Sequence, residues 1–209
     1  MRFYLGLIAA MVAMVTLTTG TAHADVPRTS DGDGVLVGSW LAPVQLEVFC
    51  EPQCPHCAEF EAADGDRLAA ALAGGRVAIT YRWLTFLDGR HHNDVSAQLV
   101  NALFLAADPA TSPTAYQDFV QDLYRHQSSA GPAGDAVATM ARESGLPDAV
   151  ADRIEAAANV VDTTAVNDAN KARLKAENPA NPGTPTIYNI NTRSVVDTQD
   201  PGWLDALTN

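Results

Sequence analysis

Lysine is nearly absent from this chain: Lys171 and Lys175 are the only two, and 13 Lys plus Arg face 25 Asp plus Glu, for a formal net charge of −12. So acidic a surface argues against nucleic acid and anionic membrane as partners, and solubility is its simplest consequence. Cysteine is scarce as well. Three in 209 residues are too few for a disulfide-stapled scaffold, so a hydrophobic core must hold the fold. Past the N-terminus there is no second long apolar run, no internal repeat and no low-complexity tract. Those absences speak against a multi-span membrane protein and a solenoid.

What is present first indicates a compartment. The opening MRFYLGLIAAMVAMVTLTTGTAHADVP has Arg2, an apolar run from residue 3 to about 17, and Ala22-His23-Ala24. This predicts a secretory signal peptide over 1–24, cleaved before Asp25; the competing reading is an uncleaved membrane anchor. No cysteine follows the run, so lipid attachment at a processed N-terminal Cys is excluded. The remainder is long enough for one domain and short for two. Residues 25–33, DVPRTSDGD, are polar and turn-rich and predict a mobile leader. The domain is expected over 34–209.

All three cysteines fall inside one octapeptide, Cys50-Glu-Pro-Gln-Cys54-Pro-His-Cys57. Before it, Val44, Leu46 and Val48 alternate with Gln45, Glu47 and Phe49, the period of a strand that Cys50 ends. From residue 55 to about 72 a helix is predicted, with Phe60, Ala63, Leu68 and Leu72 among its apolar positions and Gly74-Gly75 closing it. Residues 76–86 are rich in β-branched and aromatic side chains and predict a second strand of the core; 35–40 could add a short edge strand. Helical patterns then run from about 92 to 176: one capped by Asn93, one started by Ser112-Pro113, and three shorter ones. A loop at 178–185 delivers a further strand, 193–197 its hairpin partner, and Asp200-Pro201 a last helix.

This places Cys54 at a strand-to-helix corner. Pro55 takes the first helical position, where its missing N–H costs nothing, and Cys54 becomes the N-cap. Free helix N–H groups, the helix dipole and His56 would all favour its thiolate. Cys57 lies one helical turn on, able to close a disulfide. An exposed, acidified nucleophile with a resolving partner is what thiol–disulfide exchange requires. Two metal readings compete. Cys50, Cys54 and Cys57 spell C-x3-C-x2-C, the spacing of radical enzymes that bind a four-iron cluster; a secretory signal and too short a chain for their barrel argue against it. A zinc site of Cys50, Cys54, Cys57 and His56 would need adjacent residues at a helix start to converge on one ion. No cofactor and no metal are expected. Cys50 stays open between a buried reduced residue, a Cys50–Cys54 disulfide that parks the nucleophile, and a link to a second molecule.

Cys54-Pro55-His56-Cys57 after an apolar strand, together with Gly183-Thr184-Pro185-Thr186-Ile187 before the later one, resemble the DsbA family of thioredoxin-fold oxidoreductases. The resemblance implies an α/β thioredoxin fold, β-α-β … β-β-α, with a helical insertion between the second and third core strands. It implies a Cys54–Cys57 redox disulfide flanked by Pro55 and His56, and a cis Thr184–Pro185 bond packed against it. An acidic residue beneath the active site, accepting the Cys57 proton, matches Glu47, with Glu51 competing because the segment to Cys54 is a residue longer than usual. As activity it implies an extracytoplasmic, monomeric dithiol oxidase of unfolded secreted proteins, reoxidised by a membrane partner of the DsbB or VKOR type. A reductase or isomerase on the same fold, and a client-binding module without turnover, are the alternatives. His91 and His92 are read as surface loop, and Trp83 and Trp203 as core.

Overall fold

The computed structural model describes residues 26–128, 130–132 and 134–208; the expected signal peptide lies outside the described residues. In chain order the elements are β1 (Val35–Val37), β2 (Val44–Cys50), α1 (Pro55–Ala73), β3 (Val77–Trp83), α2 (Phe86–His91), α3 (Val95–Ala106), α4 (Pro113–Arg125), α5 (Gly134–Glu143), α6 (Asp148–Glu155), α7 (Thr163–Glu177), β4 (Thr186–Asn189), β5 (Ser194–Val195) and α8 (Trp203–Thr208). The strands form one sheet in the order β1-β3-β2-β4-β5. β2 and β3 are parallel and joined through α1, whereas β4 runs antiparallel to β2 and β5 returns beside β4. This is the thioredoxin fold, with α2 to α7 inserted between β3 and β4.

Strand alternation sorts β2 between two faces. Leu46, Val48 and Cys50 pack with Phe60, Leu68 and Leu72 of α1 in the main core, while Phe49 belongs to a second cluster with Leu84 and Leu174 of α7. β3 is buried on both faces throughout: Val77, Ile79, Tyr81 and Trp83 belong to the main core, while Thr80 and Arg82 alternate with them and Arg82 pairs with Glu47. Its Tyr81 and Trp83 rings stack at 4.9 Å, and Trp83 Nε1 donates to the Tyr116 hydroxyl of α4 at 3.1 Å. Trp203, also buried, meets Phe60.

Two expectations are corrected. The described part of the 25–33 segment is no mobile leader. Val26 is fully buried, Arg28 bridges Val35, and the Arg28 guanidinium donates to the Val160 carbonyl at 3.1 Å while lying over the Phe104 ring. Polar composition predicted a solvated tail, but its partners come from α3 and the loop after α6. The second strand also stops at Trp83, opposite Cys50, because β2 has no further residue for it to pair with. The chain turns there into the short helix α2, and α3 begins after Asp94 instead of Asn93.

Candidate active site

Cys50 ends β2, and a turn closed by the Cys54 N–H donating to the Glu51 carbonyl (2.9 Å) brings the chain to Pro55, the first residue of α1. Cys54 is the N-cap, in an extended conformation. Pro55 and His56 face solvent, Cys57 is fully buried, and Cys54 retains 7% exposure. The Thr184–Pro185 peptide bond is cis, and the Thr184 carbonyl accepts from the Cys54 thiol at 3.4 Å. Asn178 secures that loop by donating to Thr186 Oγ1 at 3.1 Å, while the Thr186 hydroxyl donates to the Gly183 carbonyl at 2.7 Å. The structure thus brings Cys54, Cys57 and Thr184-Pro185 together from two distant parts of the chain.

All three cysteines are free thiols. Burial pushes Cys57 well above the ordinary thiol range. Cys54 is also pushed up, first by its hydrogen bond with Cys57 and then by burial. The sequence predicted an exposed, acidified Cys54, and in this reduced arrangement it is neither. Its thiol proton goes to the Thr184 carbonyl, and its Sγ makes no side-chain capping bond to α1. His56 pairs with Glu59 at 2.9 Å, and that hydrogen bond raises its pKa.

Glu47 does not lie beneath Cys57. It is buried on the opposite face of the sheet, where Arg82 Nε and Arg173 Nε donate to its two oxygens at 2.8 and 2.9 Å. The reason is the period of two: Cys50, which shares the α1 face with Cys57, is three residues away, an odd number, so the two side chains point to opposite faces. The buried acids near the cysteines are others. Glu61, one turn beyond Cys57 on α1, accepts from Gln117 Nε2 at 2.9 Å and lies 3.2 Å from the Tyr81 hydroxyl; desolvation lifts it to about 7. Glu51 accepts from Ser96 Oγ and from the Gln53 N–H (2.7 Å), and desolvation lifts it to about 7 as well. Glu61 was legible in principle, four residues after Cys57 on the same helical face.

Side chains from the insertion hold the cysteine loop. Gln127, just past α4, donates from Nε2 to the Pro52 and Cys54 carbonyls at 2.8 and 3.0 Å, and the Tyr124 hydroxyl donates to the Glu51 carbonyl at 3.3 Å. Gln53 is buried, its Nε2 within 2.8 Å of Asp88 Oδ1 and of Ser96 Oγ, and its Oε1 2.9 Å from His91 Nδ1. His91 and His92 are both exposed, as expected, but His91 is the last residue of α2 and its ring reaches the residue preceding Cys54. No local sequence pattern marks these contacts, which span 35 to 75 residues.

Known proteins place this arrangement. The chain is 31% identical over 181 residues to the serine/threonine-protein kinase PknE of Mycobacterium tuberculosis, a match covering 84% of this chain and 31% of that one. It therefore spans about a third of the length of the curated relatives it matches. In fold it is similar to the thiol-disulfide oxidoreductase MdbA of Corynebacterium diphtheriae, with a TM-score of 0.71 at 18% identity, covering 88% of this chain and 93% of that one. It is similar also to reduced DsbA of Mycobacterium tuberculosis, with a TM-score of 0.63 at 20% identity, over 84% and 90% of the two chains. Residues 30–208 match the family described as Thioredoxin, and with the cysteine pair at the start of its first helix the chain belongs to that family.

Proposed function

We propose that this protein is a thiol:disulfide oxidoreductase that works outside the cytoplasm as a dithiol oxidant, through a Cys54–Cys57 disulfide. One observation carries the reading. Of the two cysteines one helical turn apart at the start of α1, Cys54 is the less buried, at 7% exposure against 0% for Cys57, and its thiol donates to the Thr184 carbonyl beside Pro185. A client thiolate attacks Cys54 Sγ; the Cys54–Cys57 bond breaks and its electron pair goes to Cys57. A second client thiolate then attacks the client sulfur of the mixed disulfide and releases Cys54. The client gains a disulfide, and Cys54 and Cys57 end reduced with the two protons.

The signal-like residues 1–24 support the extracytoplasmic setting, and no helix among the described residues is long and apolar enough to cross a membrane. Unfolded secreted proteins bearing cysteines are the proposed clients, a DsbB- or VKOR-type membrane protein the proposed reoxidant, and the monomer the working form. The Pro-His pair between the cysteines supports the oxidising direction through the resemblance to DsbA. The upward push on Cys54 favours the opposite direction, a reductase or isomerase on the same fold. Replacing Cys57 by Ala should trap mixed disulfides on Cys54, whereas the Cys54→Ala protein should accumulate none; adducts on the latter would reverse the assignment. A reduction potential near the thioredoxin value of about −270 mV would replace the oxidant by a reductase.

A further inference from the structure

The end of the sheet remote from Cys54 carries a surface that the redox chemistry does not use. β2 and β3 both run from that end toward the cysteine loop, and three turns meet there: 38–43 between β1 and β2, 74–76 between α1 and β3, and 190–193 between β4 and β5. Trp40 is 74% exposed, Leu41 70% and Ile190 40%, whereas Trp83 and Trp203 are buried. The exposed side chains are held in place. Gln45 Nε2 donates to the Ser39, Trp40 and Ala42 carbonyls at 3.3, 3.1 and 2.8 Å, and the Ala42 N–H donates to the Ser39 carbonyl at 2.8 Å. The Gln45 backbone ties in the neighbouring turn: its N–H donates to Asn191 Oδ1 at 2.8 Å, and its carbonyl accepts the Ile190 N–H at 2.9 Å. A turn braced to present Trp and Leu to solvent marks a surface that meets something apolar.

Two observations name the partner. The chain as a whole has a net charge of −12, yet the three turns read GSWLAP, GGR and INTR, with Arg76 and Arg193, both exposed, and no carboxylate. The chain also enters the fold at this end. Arg28 bridges Val35 in antiparallel sense and the Leu36 N–H donates to the Pro27 carbonyl at 2.9 Å, so Val26 comes opposite Val37, one residue before the 38–43 turn. Residues 18–25, at most about 30 Å of chain, separate Val26 from the apolar run that ends near residue 17.

We propose that this end is a membrane-facing surface: Trp40 and Leu41 enter the interfacial layer of a lipid bilayer, Ile190 rests on it, and Arg76 and Arg193 meet lipid phosphates. Tryptophan is favoured at headgroup depth, where its ring is apolar and its N–H wet, and the arginine fork matches phosphate oxygens. The acidity of the rest of the chain confines the contact to this one end. The apolar run, joined here by a short segment, brings this end and not the cysteine end up to the bilayer. A second copy of the chain is the competing occupant, but three apolar side chains are few beside the roughly 20 to 30 residues per side of a stable interface. With β2 seven residues long, Cys54 stands about 20 Å or more off the bilayer. It is thereby open to clients, and a membrane reoxidant must meet it on a segment that rises as far.

The test is tryptophan fluorescence of the full chain with vesicles of phosphatidylcholine and phosphatidylglycerol, the phosphatidylcholine brominated on its acyl chains in one set. Of the three tryptophans, Trp40 alone is exposed, so contact quenching by bromine reports on it. The expected result is a blue shift of the emission and a quenchable share that Trp40→Phe removes. Leu41→Glu, and Arg76→Glu with Arg193→Glu, should lose most of the quenching, while oxidoreductase activity in solution stays that of the wild type. Protein that floats with the vesicles while Trp40 stays unquenched, or quenching that survives Leu41→Glu, shows that the apolar run alone holds the chain and overturns the proposal. Protein that stays off the vesicles overturns it as well, and a dimer that sediments only when Trp40 is present gives the surface to a second copy. None of these outcomes bears on the Cys54–Cys57 chemistry.

Discussion

At the scale of the residue, Gln53 shows how a site can depend on a side chain that does no chemistry. It immediately precedes Cys54, is 5% exposed, and hydrogen-bonds to Asp88 and Ser96 of the insertion as well as to His91. Asp88 in turn accepts the Ser96 and Ala97 N–H groups at the start of α3, at 2.8 and 2.9 Å. Truncating Gln53 would leave several buried polar atoms short of partners, each costing about 1 to 3 kcal/mol. Gln53→Ala should therefore lower stability by about 2 kcal/mol, read as a lower urea midpoint at unchanged slope. It should also slow mixed-disulfide formation at Cys54, whose approach it fixes. A midpoint equal to that of the wild type would show that water replaces the lost amide.

Within the sheet, β2 carries two kinds of chemistry on its two faces. Cys50 packs in the core on the α1 side, while Glu47 faces α7 and joins an ion-pair network with Arg82, Arg173 and, through Arg82, Asp31. The Arg82 side chain is only 5% exposed, so removing the Glu47 charge leaves a buried guanidinium that Asp31 alone must balance. Glu47→Gln is expected to cost about 3 kcal/mol, the usual range for breaking one side of a buried pair. Trapping of adducts on Cys54 in the Cys57→Ala background should not change, since the sheet separates the two sites. Unfolding curves and adduct yields on the same samples check both halves; a fall in yield at unchanged stability would return Glu47 to the active site.

For the whole molecule, the buried carboxyls predict an acid-leaning stability profile. Glu51 and Glu61 are each lifted to about 7 by desolvation, against about 4.3 in an unfolded chain. Between those values the folded state holds protons that the unfolded state has lost, so stability falls as pH rises from about 4.5 to about 7 and levels off above. Glu177, raised to about 7 chiefly by burial, acts in the same window and the same direction. Thermal melts should give a higher Tm at pH 5 than at pH 7.5, and Glu61→Gln should flatten part of that slope. A Tm that rises across the interval would mean that these carboxyls are already ionised in the fold.

Much of this was written locally. The alternation of residues 44–50, Pro55 behind Cys54, Ser112 before Pro113 and the turn-rich approach to Thr186 each depend on neighbours a few positions away, and the strands and helices they predict are present. The placement of Cys54 and Cys57 one helical turn apart at the start of α1 was equally local. What the sequence could not decide depends on which elements meet. Composition made residues 25–33 look solvated, yet Arg28 finds Val160 and Phe104 across the fold. Likeness to a motif put Glu47 under the sulfurs, and the pleat turned it away toward Arg82. Spacing left the place of Cys50 open, and the docking of α1 on β2 buried it completely in the main core. The carbonyl that accepts the Cys54 thiol proton likewise comes from Thr184, 130 residues distant. Sequence determined the elements because hydrogen bonding and side-chain period act at short range; packing decided the site because burial and charge pairing act through space.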